Sequence, residues 1–221
     1  MLADSELAIL AGRSYSGPQS GTVALDVQYD LVPRDREIVV VMPGTNPRDP
    51  LDWIRDLRVL PTWIPGIGLV HSGFGRGALA IWPTLLRYHR GLPRTVLVSY
   101  VGHSLGGALA QVLAALHARD LPQSPFRVVT FGAPRIAFLN PYVGILIRSG
   151  VEAVEYARAG DVVPNVPLRP LYGHPTRRHV IGESAYHLPW WKMLVTGSIP
   201  GAVAGNHSIA RYASDLKTLN L

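Results

Sequence analysis

The apolar run VLVSYV (96–101), the pentapeptide GHSLG (102–106) and the alanine-rich GALAQVLAALHAR after it leave the chain little choice of local structure. The first reads as a strand buried on both faces, and the stretch from Leu105 to about Arg119 reads as a helix. Only a serine between glycines separates the two. A strand that turns directly into a helix forces the turn residue into a strained backbone and leaves no room for side chains beside it, hence Gly102 and Gly106. Small residues at Gly106, Gly107, Ala108 and Ala110 let the helix lie close on the sheet. A bare GxSxG arises by chance in a glycine-rich chain, so its specificity lies in the strand and helix on either side. In that setting Ser104 reads as a nucleophile rather than a turn residue. The Leu105 N–H, at the helix N-terminus, then faces any oxyanion that forms. His103 reads as a packing residue, because neighbours on such a turn point apart.

The remaining elements fit the same architecture. Val23, Leu25, Val27, Tyr29 and Leu31 alternate with polar residues over 23–32, the period of a half-buried strand, and PRDR turns the chain into the continuous apolar run EIVVVM (37–42). This predicts an N-terminal antiparallel hairpin leading into a sheet interior. LDWIRDLRVL (51–60) has a helical pattern, PTWIPGIGLV (61–70) is rich in breakers, and 74–90 reads as helix despite Pro83. RVVTF (127–131) and EAVEYA (152–157) are further buried strands. Strands alternating with helices predict an α/β fold with a mostly parallel central sheet flanked by helices, its ligands bound beyond the carboxyl ends of the strands. With 221 residues, 48% of them hydrophobic, one core and a single domain over 1–221 are expected.

Composition excludes several classes of function. There is no cysteine, so a disulfide framework, a Cys-ligated zinc and a thiol nucleophile are all ruled out. The net charge of +6 comes from arginines scattered singly or in pairs, without the basic and aromatic alternation of a nucleic-acid binder, so no nucleic-acid partner is expected. No HExxH or similar spacing suggests a metal site, and none is expected. The N-terminal segment MLADSELAILAGRSYSG carries Asp4 and Glu6 where a secretory signal carries positive charge, and reads as an amphipathic helix. HLPWWKMLVTGSIPGAVAG (187–205) is interrupted by prolines, glycines and Lys192, and does not read as a membrane span. A cytoplasmic location is the expectation that follows.

A nucleophilic serine needs a base, and the base an orienting acid, in the chain order serine, acid, histidine when the serine sits on an α/β-hydrolase elbow. Of Asp120, Glu152, Glu155, Asp161, Glu183 and Asp215, Asp161 stands in RAGDVVPNVP, the turn-rich end of a strand. Asp120 ends the helix that starts beside Ser104, about 20 Å away at 1.5 Å per residue, and Glu152 and Glu155 lie within a strand. Of the histidines beyond it, His207 precedes a final helix in GNHSIARY. His187, beside Trp190 and Trp191, is its nearest rival, and His174 and His179 flank PTRR as candidate structural residues.

Seven stretches taken together resemble the class 3 lipase family of fungal-type triacylglycerol lipases. VVVMPGT is similar to that family's strand and oxyanion turn, DWIRDL to the tryptophan segment after it, and VHSGF to the motif before the next helix. GHSLGGALA resembles its elbow, FGAPR the following strand end, GDVVPNVP the acid loop and NHSIARY the histidine loop, all in the family's order from about residue 37 to 212. The resemblance implies an α/β-hydrolase fold and a Ser104, Asp161 and His207 triad. It also implies an oxyanion hole made by Thr45, through its N–H and hydroxyl, and the Leu105 N–H. The implied activity is hydrolysis of acyl esters through an acyl-enzyme, with no cofactor.

Two segments depart from the family pattern. The interval 46–70 is short for a lid, yet holds Trp53, Ile54, Leu57, Leu60, Trp63, Ile64 and Ile67, which fit either an amphipathic cover over an acyl groove or the core face of a helix and loop. Segment 184–205, with Trp190 and Trp191, fits either a flap touching lipid or a packed connection. The expected partner is an acyl ester or lipid substrate, with transient contact at a lipid interface. Triacylglycerol lipase, phospholipase A1-type hydrolase and short-chain esterase share this catalytic set. The alternative from a different class is a catalytically silent lipid-binding module.

Overall fold

The computed structural model describes residues 1–15, 21–23, 27–44, 60–167, 169–183 and 205–221. Helix α1 (Asp4–Arg13) precedes strands β1 (Gly21–Val23), β2 (Val27–Arg34) and β3 (Glu37–Met42). A short hairpin, β4 (Pro61–Ile64) and β5 (Gly68–His71), leads into helix α2 (Ser72–Arg90). Then come β6 (Leu97–His103), α3 (Leu105–Asp120), β7 (Phe126–Phe131), β8 (Ala137–Phe138), α4 (Pro141–Arg148) and β9 (Glu152–Arg158). Strands β10 (Tyr172–Gly173) and β11 (Arg177–Ile181) and helix α5 (Ile209–Thr218) complete the described elements.

Seven strands form the main sheet in the order β1-β2-β3-β6-β7-β9-β11. From β3 to β11 every pairing is parallel, and β2 joins β3 antiparallel through the predicted hairpin. The expected strand over 23–32 divides instead: Val23 ends β1 and Val27 opens β2, and the two residues pair with each other. The breaker-rich PTWIPGIGLV also folds differently from a loop. Its glycines at 66 and 68 take positive φ (75° and 99°), so the chain reverses into an antiparallel pair belonging to a second sheet, β10-β8-β5-β4.

Strand alternation sorts the core into two layers. Val39, Val41, Val101, Val129 and Phe131 face Leu7, Ala8 and Ala11 of α1 and Tyr212 and Leu216 of α5. Val40, Met42, Tyr100 and Val128 face α2, α3 and α4. All six residues of β3 and all six of β7 are buried, as continuous apolar strands in a parallel sheet require. Pro83 sits inside α2 without ending it.

At the amino ends of the parallel strands a polar ladder closes the sheet against α1. The buried Arg127 donates to Glu37 (2.7 Å), to Ser99 (2.8 Å) and to the Leu2 carbonyl (2.9 Å), and pairs with Glu152 (3.3 Å). Burial works to raise the Glu37 carboxyl, but hydrogen bonds from Ser99, Arg127 and the Leu2 N–H, with the Arg127 charge, outweigh it and hold it below the usual carboxylate range. A carboxyl held below its unfolded value contributes stability that is present above the unfolded pKa and lost as pH falls through the folded one. In Glu37→Gln the urea midpoint is therefore expected to lie below wild type at neutral pH. The gap should narrow once pH falls below about 4.3, where unfolded glutamates protonate. A gap that stays constant from pH 7 to pH 3 would assign the Glu37 contribution to packing alone.

Candidate active site

The carboxyl ends of the parallel strands meet at Ser104. It follows β6 with φ 57° and ψ −128°, a conformation that costs an L-residue on the order of 1–3 kcal/mol and persists because its surroundings impose it. Its N–H donates to the Phe131 carbonyl at the end of β7 (2.9 Å), and its carbonyl accepts from Gly107 (3.0 Å) and Ala108 (3.3 Å). These bonds open α3 one residue after the turn and leave the Leu105 N–H at its free end, facing outward with the helix dipole behind it. A side chain at 106 would run into the Met42 carbonyl, so α3 reaches the end of β3 only because that residue is glycine.

His207 brings its ring to the serine from the loop ahead of α5. Its Nε2 lies 2.8 Å from Ser104 Oγ and its Nδ1 2.9 Å from Asp161 Oδ2. All three residues are buried. Asp161 stands just beyond β9, in the turn that opens the short 3-10 helix Val163–Asn165. Its carboxylate accepts three hydrogen bonds: the His207 ring and the Tyr212 hydroxyl (2.6 Å) on Oδ2, and the Val163 N–H (3.0 Å) on Oδ1. Burial, and then the Asp161 charge, push the Tyr212 phenol far above its ordinary value, so it stays a donor. The imidazole is thereby fixed with its proton on Nδ1 and a bare Nε2 toward the serine hydroxyl. Gly132, at φ 60°, makes the space: a Cβ there would press on Asp161 Oδ2, the Tyr212 hydroxyl and His207 Cε1, each about 3 Å away.

Basic side chains hold the acid loop from below. Arg135 donates to the carbonyls of Asn165 and Pro167, and its own N–H bonds the Val166 carbonyl (2.7 Å). Burial, then repulsion from Arg169 and Arg178, lowers its guanidinium to about 10, which still leaves it charged at neutral pH. His174 spans from Glu155 (2.5 Å) to the Pro164 carbonyl (2.6 Å). Arg158, at the end of β9, pairs with Asp215 (2.5 Å) and reaches Asn206 (3.2 Å), which pins the residue before His207.

Ser104, Asp161 and His207 are thus brought together, and Leu105 is beside them. Four of the five other candidate acids pair with other groups: Glu152 with Arg127, Glu155 with His174, Asp215 with Arg158, and Asp120 with Trp82 (2.7 Å); Glu183 follows β11. His179 lies on β11 against the Tyr156 ring. Thr45, Trp53, Ile54, Leu57, Trp190, Trp191 and the rival His187 lie outside the described residues.

Two of the candidate cover residues, Trp63 and Ile64, lie on β4 of the second sheet. Ile64 is fully buried in the core, as is Ile67. Trp63 is exposed, but it lines a cavity of about 350 Å³ with Leu69, Phe138 and Tyr142. The tip of its hairpin is tied to Arg119 through the Pro65 carbonyl (2.8 Å), about 20 Å down α3 from Ser104 at 1.5 Å per residue. The alternation of PTWI placed these side chains on opposite faces of a strand, and the second sheet carries that strand away from the serine.

Sequence reasoning passed over Tyr212, Gly132 and Arg135. Gly132 and Arg135 stand inside FGAPR, which was visible as a motif without roles for its members. Tyr212 stands in NHSIARY, where nothing local shows that a helical turn brings its hydroxyl back to Asp161. Among the described residues no group of three or more His, Asp or Glu side chains could hold a metal ion, and no helix is long and apolar enough to cross a membrane.

Known proteins match this arrangement at several levels. The model of one family, lipase (class 3), matches residues 39–170, a stretch that includes Ser104 and Asp161 and stops short of His207. Among solved structures, the triacylglyceride lipase of Rhizomucor miehei superposes with a TM-score of 0.69 at 20% identity, covering 80% of this chain and 78% of that one. A triacylglycerol lipase from Penicillium expansum gives 0.67 at 19% identity, covering 81% of each chain. A lipase from Rhizopus microsporus var. chinensis gives 0.65 at 24% identity, covering 75% of this chain and 61% of that one. The curated protein sequences give no match. The fold is that of an α/β hydrolase.

Proposed function

This chain belongs to the class 3 lipase family and is a serine ester hydrolase, and from that premise we propose that it cleaves acyl esters of glycerides or related lipids with Ser104, His207 and Asp161 as its catalytic residues. The observation that carries the assignment is the unbroken relay from Ser104 Oγ through the His207 ring to Asp161, at 2.8 Å and 2.9 Å, on a strained elbow at a helix N-terminus. His207 Nε2 takes the Ser104 proton as Oγ attacks the ester carbonyl, and returns it to the departing alkoxide. Asp161 keeps the imidazole in its reactive tautomer and stabilises the imidazolium. The Leu105 N–H, with Thr45, three residues beyond β3 in the sequence, as its partner, binds the oxyanion, a contribution of about 3–4 kcal/mol per donor in comparable sites. Water then attacks the acyl-enzyme by the same path. A silent lipid-binding module has no use for the strain at Ser104 or for a fixed imidazole tautomer.

A fluorophosphonate probe is expected to label the protein once, on Ser104, by peptide mass spectrometry. Hydrolysis is expected across p-nitrophenyl esters from acetate to palmitate, and the optimum chain length separates esterase from lipase. Tributyrin against phosphatidylcholine separates a neutral lipase from a phospholipase. A folded protein that neither takes the label nor turns over any ester would end the catalytic reading and leave the fold standing.

A further inference from the structure

His103 stands beside the nucleophile, yet its ring turns away from the reaction. Its Nε2 lies 2.8 Å from the main-chain carbonyl of His207 and its Nδ1 2.7 Å from the Tyr15 hydroxyl, which comes from the chain just after α1. The ring also packs on the His207 ring, with centroids 4.5 Å apart and planes inclined by 33°. Burial, and then the proximity of His207, hold the His103 imidazole well below its ordinary value, so it is neutral and carries one N–H. A carbonyl can only accept, so that proton is on Nε2, and the bare Nδ1 accepts from the Tyr15 hydroxyl. The Tyr15 hydroxyl also lies against Gly44, which follows β3 and precedes Thr45 in the sequence. The two bonds run in one direction, from Tyr15 beside Gly44 through His103 to the backbone of His207.

We propose that Tyr15 and His103 are positioning residues acting as one unit: a bridge that fixes the main chain of His207 relative to the turn at Gly44, and so sets the turnover rate. The inference rests on the reading of His207 as the base of a serine hydrolase. Asp161 controls the tautomer of the His207 ring, and the bridge controls where the ring stands. Displacing a reacting group by about 1 Å can cost about a hundredfold in rate, and both ring nitrogens of His103 are taken up by the bridge. The loss belongs to kcat, not to KM.

The test uses the full chain and p-nitrophenyl butyrate, with Tyr15→Phe, His103→Leu, His103→Gln and the Tyr15→Phe/His103→Leu double variant, each first shown folded by circular dichroism. Tyr15→Phe and His103→Leu are expected to lower kcat about 10-fold to 100-fold, with KM within about twofold. His103→Gln keeps an N–H that can reach the His207 carbonyl and is expected to recover most of the rate. The double variant should be no slower than the worse single one, because the second change breaks a bridge already broken. If His103→Leu does not fold, Tyr15→Phe/His103→Gln replaces the double variant. Wild-type kcat in Tyr15→Phe, or losses that multiply in the double variant, would overturn the bridge while leaving the hydrolase reading intact. A wild type without esterase activity removes the hydrolase reading and the bridge with it.

Discussion

Ser104→Ala is expected to lower kcat for p-nitrophenyl butyrate by about five to six orders of magnitude, with KM little changed, because removing the nucleophile of such a relay costs nearly as much as removing the whole relay. The remaining activity would be what the oxyanion donors and binding alone supply. Stability should change little. Ser104 holds φ 57° because strand and helix leave it no alternative, and alanine at the same strained position gives up only the hydroxyl and its single bond to His207. The variant should therefore unfold within a few degrees of wild type by calorimetry, which makes the activity loss a chemical result. A Ser104→Ala protein that keeps more than one hundredth of the wild-type kcat would place the nucleophile elsewhere.

The second large effect is expected from Asp161→Asn, and its cause is the direction of three hydrogen bonds. Among the described residues, the hydrogen-bond partners of the Asp161 carboxylate are all donors: the His207 Nδ1–H, the Tyr212 hydroxyl and the Val163 N–H. The Val163 N–H cannot rotate, so the asparagine oxygen must face it, and the amide nitrogen takes the place next to His207. The imidazole then accepts at Nδ1, shifts its proton to Nε2 and presents a hydrogen to Ser104 where it should present a lone pair. A loss of kcat of about 10⁴ is expected for this wrong tautomer. Part of it should return at alkaline pH, where direct deprotonation of the serine competes. Activity in Asp161→Asn within tenfold of wild type would show that tautomer control does not depend on this carboxylate.

The fold was legible where one pattern decided one element. EIVVVM and RVVTF could only be central strands, and GHSLG between a strand and an alanine-rich helix fixed the elbow; both follow from local periodicity and sterics. That Ser104, Asp161 and His207 come together was legible for a second reason, because each stands at the end of an element, and the order of elements places those ends together. The hairpin at 61–71 was not legible, since prolines and glycines that signal interruption also build a tight antiparallel turn. The supporting groups were hidden for a third reason. Tyr15, Arg135 and Tyr212 act through hydrogen bonds to residues far off in sequence, and no periodicity records such partners. His103 reads as a packing residue, and its ring does lie on that of His207, but its two hydrogen bonds are beyond what the motif can show.

The relay also bears on how the molecule comes to be active at all. Ser104 and His207 are 103 positions apart in the chain, Asp161 and His207 46 apart, and Tyr15 and His103 88 apart. Contacts of such separation form only after the loops between them have closed, and parallel pairing makes every closure a long one. Helices such as α3 can gain their backbone bonds early, from neighbours in sequence. The site cannot, because its base arrives with α5, which packs against α1 at the other end of the chain. Ester hydrolysis is therefore the last property this chain acquires on folding and the first it loses when either end loosens.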